Sequence, residues 1–130
     1  MTTFNKISSG IIISVQVYLN RDLSIAEESR FFFNYHITIE NKNTFSVQLL
    51  SRHWEIFDSL RHKRIIDGEG VVGLTPILES GQSFDYTSGC DLHSEIGYMK
   101  GYFTFLEMSN SDTFDVEIPK FDMYFYGKLN

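Results

Sequence analysis

The chain has 130 residues and a single cysteine, so Cys90 has no intramolecular disulfide partner and no Cys-rich zinc site can form. Long apolar runs are missing too. Near the N-terminus the longest is Ile11-Ile12-Ile13, too short for a membrane span or for the apolar stretch of a signal peptide. A cytoplasmic location is the expectation, and an unpaired cysteine is consistent with a reducing compartment. No segment sustains the 3.6-residue apolar period of a helix. Internal repeats, low-complexity tracts and linkers are also lacking, so residues 1–130 read as one domain. Positive charge is scarce: 11 Lys and Arg stand against 17 Asp and Glu, a net charge of −6. A nucleic-acid binder needs a basic face that releases counterions, so no nucleic-acid partner is expected.

Aromatic residues are plentiful, with 12 Phe and 7 Tyr, and they fall on period-2 patterns. Ile11, Ile13, Val15, Val17 and Leu19 share one face of what reads as the first strand. Phe31, Phe33, Tyr35, Ile37 and Ile39 alternate with more polar neighbours in a second. Leu23–Glu28 reads as a loop or a short turn of helix. Further strands are expected near 47–56, 64–66, 83–87, 97–105, 114–118 and 121–125, with Ser88–Asp91 as a loop. Gly101 marks a bulge or a close backbone approach, and Pro119 ends or kinks its strand. Seven or eight strands with turns at this spacing predict an all-β, antiparallel sandwich or barrel.

Charge is unevenly distributed. Residues 1–65 carry eight Lys and Arg against six Asp and Glu, and residues 66–130 carry three against eleven. The densest basic run, Arg61-His62-Lys63-Arg64, precedes Gly68-Glu69-Gly70-Val71-Val72-Gly73. That second stretch fits G-x-G-x-x-G, which in dinucleotide-binding folds cradles a pyrophosphate at a helix N-terminus. Here β-branched Val71-Val72 and then Pro76 follow, with no helical pattern, so the dinucleotide-fold reading fails. Two readings stay open. The glycines serve positive φ angles and tight packing beside a solvated hairpin tip. Alternatively Gly68, Gly70 and Gly73 form an anion- or nucleotide-binding loop with Arg61, Lys63 or Arg64 supplying charge.

Several stretches together resemble the ApaG (CorD) family. They are Leu49–Trp54, Asp67–Pro76, Gly81–Gly89, Gly97–Tyr102 and Phe114–Phe121, in the family's order and across nearly the whole chain. The resemblance implies a fibronectin type III-like, immunoglobulin-like β-sandwich in a bacterial cytosolic protein. It implies a genetic link to cobalt and magnesium efflux and to a dinucleoside tetraphosphate hydrolase operon. Related eukaryotic domains, in an F-box adaptor and a DNA polymerase-interacting protein, look like protein-interaction modules. By this resemblance the chain is a non-enzymatic binding module with a protein partner. The family's glycine loop has been read as a pyrophosphate site, and Gly68, Gly70 and Gly73 match it. Cys90–Glu95 and Leu74-Thr75 depart from the family pattern, so ligand roles there are not inherited.

Other chemistry has little support. Cys90, Asp91, His93 and Glu95 are ligand types on one short segment, where four ligands rarely converge; no metal site and no cofactor are expected. Ser88 near His93 lacks a nucleophile-elbow motif, and no catalytic residue is assigned. Arg52 and Trp54 share a strand face. Either Trp54 is core with Arg52 paired to a carboxylate at its edge, or the two form a surface anchor for a partner. The aromatic surplus likewise fits a homodimer interface, a partner groove or packing under Leu23–Glu28.

Overall fold

Alternation of buried and half-exposed side chains builds two sheets. The computed structural model describes residues 2–60 and 62–126. Among them the elements are β1 (Thr2–Ser8), β2 (Ile11–Leu19), a 3-10 turn (Ala26–Glu28), β3 (Phe31–Asn41), β4 (Val47–Asp58), β5 (Arg64–Glu69), β6 (Ile77–Leu78), β7 (Ser83–Leu92), β8 (Ile96–Glu107) and β9 (Thr113–Tyr124). One sheet has the order β1-β2-β3-β7; the other is β5-β4-β8-β9, with β6 also on β4. The strand pairs are antiparallel. This is the expected antiparallel β-sandwich, and the described residues hold nine strands rather than seven or eight. No helix is long and apolar enough to cross a membrane among the described residues.

The differences from expectation have local causes. The Ile11–Leu19 strand is second in order because β1 precedes it. β1 is an edge strand with no fully buried residue, so its sequence carries no clear alternation. β6 is only two residues long. The segments 114–118 and 121–125 belong mostly to one strand, and Pro119 does not end it. Met99 pairs with Phe121 and Gly101 with Ile118, so one β8 residue faces two on β9. That bulge moves the buried set from Val116 and Ile118 to Phe121 and Met123. β4 uses the same device: the register shifts between Leu49 and Ser51, and burial passes from Val47 and Leu49 to Trp54 and Ile56. Ser88–Asp91 is strand, not loop. It continues the β3 ladder to Leu92 opposite Phe31, and Gly89 lies so close under Phe32 that a Cβ would sit 2.6 Å from the ring.

The core lies between the sheets. Trp54 packs at ring-centroid distances of 5.6 Å from Tyr35 and 5.9 Å from Phe121, in tilted and edge-on geometries that aromatic pairs favour. Asp58, at the end of β4, is 1% exposed. It accepts hydrogen bonds from the His93 N–H at 2.7 Å and from the Ser94 hydroxyl, tying the β7–β8 connection to β4. Such partners are what a buried carboxylate needs. On one side of the sandwich β1 and β2 pack against β9. On the opposite side the edges of β5 and β7 come together, joined by an Arg64–Asp91 ion pair at 3.1 Å.

Candidate functional site

The β5–β7 side gathers most of the residues singled out in the sequence. Gly68 lies opposite Arg52 across the β4–β5 ladder. A Cβ at Gly68 would stand 2.7 Å from the guanidinium carbon, so the absent side chain gives Arg52 room to lie over β5. Arg52 Nη1 donates to the carbonyls of Glu69 at 2.9 Å and Gly70 at 2.8 Å. Gly70 has φ +62, and a Cβ there would meet the Leu74 carbonyl at 2.1 Å. The loop closes on its own backbone: Gly70 N–H donates to Leu50, Val71 N–H to Leu74, and Leu74 N–H to Val71. Val71 is fully buried beneath it.

The loop therefore differs from an amide cradle. Three of its N–H groups are bonded to carbonyls, and its nearest guanidinium is held by carbonyls as well. Gly73, at φ +79, is set apart in open space. Lys63 pairs with Glu55 at 3.1 Å, whereas Arg64 turns to Asp91. Arg61 lies outside the described residues. The structure thus does not bring Gly68, Gly70, Gly73, Lys63 and Arg64 around one point: Lys63 precedes β5 and pairs back with Glu55 on β4, whereas Arg64 opens β5 and pairs with Asp91 on β7.

Arg52 and Trp54 share a face as expected, and that face is the core. Trp54 is 2% exposed, so it offers a partner no surface. Arg52 sits at the core's edge and caps carbonyls, where a carboxylate partner was one expectation.

On the other face of β4, His53 Nδ1 lies 2.5 Å from Asp67 Oδ1 and Nε2 lies 3.4 Å from Glu55. The Asp67 hydrogen bond raises the His53 pKa above 6.5; desolvation opposes it and Glu55 reinforces it. A raised folded-state pKa stabilises fully below the unfolded value and is lost as pH rises through the folded one. Urea midpoints should show the wild type's advantage over Asp67→Asn full below about pH 6 and shrinking as pH rises through the raised His53 value. The effect is modest, since the Asp67 side chain is 68% exposed. Parallel pH profiles would contradict it.

Between β4–β5 and β7 lies a cleft of about 250 Å³ whose walls include Arg52, Arg64, Tyr35, Tyr86, Ser88 and Cys90. Tyr35 and Ser88 are direct register partners, and Tyr86 is opposite Ile37 on the same face. Burial raises the Tyr35 pKa, and the neighbouring Ser88 side chain opposes that rise. Burial also pushes the Cys90 thiol up to about 11, which keeps it protonated at neutral pH. Sequence reasoning did not select Tyr35 or Tyr86. Their one signal was a hydroxyl on an aromatic in a core-facing register. Cys90 and Asp91 point to opposite faces of β7, and no three His, Cys, Asp or Glu side chains group as a metal site among the described residues.

A family model described as the ApaG domain matches residues 21–107, a span that holds both the hairpin and the cleft. The chain is similar to Protein ApaG of Brucella anthropi, 39% identical over 120 residues, covering 92% of each chain. It is similar to Protein ApaG of Methylobacterium radiotolerans, 42% identical over 114 residues, covering 88% of this chain and 87% of that one. Among solved structures it is similar to an ApaA protein from Bordetella pertussis, with TM-score 0.85, 32% identity, and coverage of 91% of this chain and 95% of that one.

Proposed function

The chain belongs to the ApaG domain family, and on that premise we propose that it works in the cytoplasm as a non-catalytic β-sandwich module that takes an extended segment of a protein partner along β5. The observation that carries this is the state of that strand. β5 ends its sheet and shows apolar side chains on both faces, with Ile65 56% and Ile66 42% exposed. Val72, Leu74 and Ile77, each more than half exposed, lie just beyond it in the chain. β5 is paired in its sheet only by β4, and an edge strand with exposed apolar side chains is suited to strand addition, in which backbone bonds give affinity and alternate side chains give specificity. The link to cobalt and magnesium efflux that the resemblance implies needs only a partner in this reading, with no metal ligand on the module.

The test places a photo-crosslinking residue at position 66 of the full chain in cells, and at position 7 on the β1 edge as a control. Partner crosslinks should concentrate at position 66. The purified partner should then bind Ile66→Asp about 30-fold more weakly, the effect of losing ~2 kcal/mol at an interface hot spot, with the fold intact. Equal crosslinking at both edges, or undiminished binding by Ile66→Asp, would overturn the proposal. A second copy of this chain captured at position 66 would make the partner a homodimer mate.

A further inference from the structure

Among the described residues, one buried side-chain oxygen or nitrogen lacks a hydrogen-bond partner: the Tyr86 hydroxyl. Tyr86 is 8% exposed, and its oxygen has under 1 Å² of accessible surface, so bulk water does not satisfy it. Native structures contain few such groups, and each calls for an explanation. Tyr86 forms part of the wall of the cleft between β5 and β7.

The same cleft holds a cation without a counterion. Both Arg52 bonds leave from Nη1 and end on carbonyls. No described carboxylate pairs with Arg52, and its Nη2 and Nε donors have no partner among the described residues. The other charged groups of the lining are Arg64 and Asp91, which neutralise each other. Cys90 adds no charge while its thiol is protonated. Two arginines and one aspartate leave the cleft at +1, inside a protein of net charge −6. A larger groove, about 720 Å³, lies on the β1–β9 side and includes no orphaned buried hydroxyl.

We propose that this cleft binds a small oxyanion, a phosphate or carboxylate group, between the Arg52 guanidinium and the Tyr86 hydroxyl. Size favours a small ligand: 250 Å³ falls below the ~300–1,000 Å³ of pockets that enclose drug-sized molecules. The hydroxyl has under 1 Å² of accessible surface, so contact with it requires the cleft wall to move; the exposed lining residues Ile66 and Val72 lie on an edge strand and the following loop. This site is distinct from the glycine-loop amides, and its test uses the purified chain alone, so it stands or falls apart from the partner reading.

The experiment measures melting temperature and heats of binding with inorganic phosphate and with acetate, each against chloride at equal ionic strength. At least one anion should raise the melting temperature with dose, and comparing the two identifies phosphoryl or carboxylate chemistry. Tyr86→Phe is the decisive variant. It should be more stable than wild type without ligand, because it removes the orphaned hydroxyl, yet bind the anion about tenfold more weakly or worse, as expected for a hydrogen bond to a charged group. Lys63→Gln, which removes a positive charge outside the cleft, should bind as wild type does. The proposal is overturned if neither anion acts beyond chloride, if Tyr86→Phe binds undiminished, or if Lys63→Gln loses binding equally.

Discussion

Gly101→Ala is expected to destabilise the protein by ~3–5 kcal/mol, combining overpacking with lost backbone hydrogen bonds. A Cβ at position 101 would lie 1.9 Å from the His53 carbonyl oxygen and 3.1 Å from the Trp54 Cα. Neither atom can retreat easily. β4 is paired to β5 on one side and β8 on the other, so pushing His53 away strains two ladders. Position 101 also adjoins the register shift against β9, where the chain is already irregular. Because whole domains are stable by only ~5–15 kcal/mol, this one methyl should remove a large share. Thermal denaturation should show a fall of more than ~10 °C for a domain of this size. A loss below ~1 kcal/mol would mean the two backbones can separate at little cost.

Trp54→Ala should cost ~3–5 kcal/mol as well, by a different route. The indole fills the space among Tyr35, Phe103 and Phe121, with centroid separations of 5.6, 6.3 and 5.9 Å. Removing it leaves a cavity that tilted rings cannot close without leaving their own favoured geometry. Trp54→Phe should cost less, because it keeps an aromatic in place. Urea unfolding followed by far-UV circular dichroism measures both, since the chain has one tryptophan and the variants lose its fluorescence. If Trp54→Ala kept full stability, the residue would not be the core anchor its 2% exposure indicates.

These two positions show where local pattern was enough. Gly101 stands in an otherwise strand-forming run, and a strand glycine signals a bulge or close approach; the structure has both. The doublet Leu49-Leu50 and the change from Val116-Ile118 to Phe121-Met123 are phase changes visible in the residues. The structure resolves them as bulges in β4 and β9. Pro119 was ambiguous because a proline can end a strand or sit in an edge-strand bulge, and only the β8 partner decides which. β1 left no clear trace, because an edge strand with no fully buried residue has little need to alternate.

The candidate site was less legible. Arg52 and Trp54 were readable as one face, since that follows from a two-residue period. Arg52's choice of the Glu69 and Gly70 carbonyls depends on how the chain returns as β5 and leaves Gly68 beneath the guanidinium. Arg64 looked like a partner for nearby glycines but pairs with Asp91, 27 residues away. Tyr86 looked like an ordinary strand aromatic.

The residues alone determined the class of element and the faces of most strands, because side-chain alternation is a local property repeated along each strand. Alternation left sandwich and barrel open, and the ordered motif set supplied the family resemblance that implied the sandwich. Tertiary structure decided that β5 and β7 are the edges that meet. It thereby placed Arg52, Arg64 and Tyr86 around one cleft and left the buried Tyr86 hydroxyl without a partner among the described residues. Those contacts join segments far apart in sequence, and their geometry is set by strand order and register between sheets, which no local period encodes.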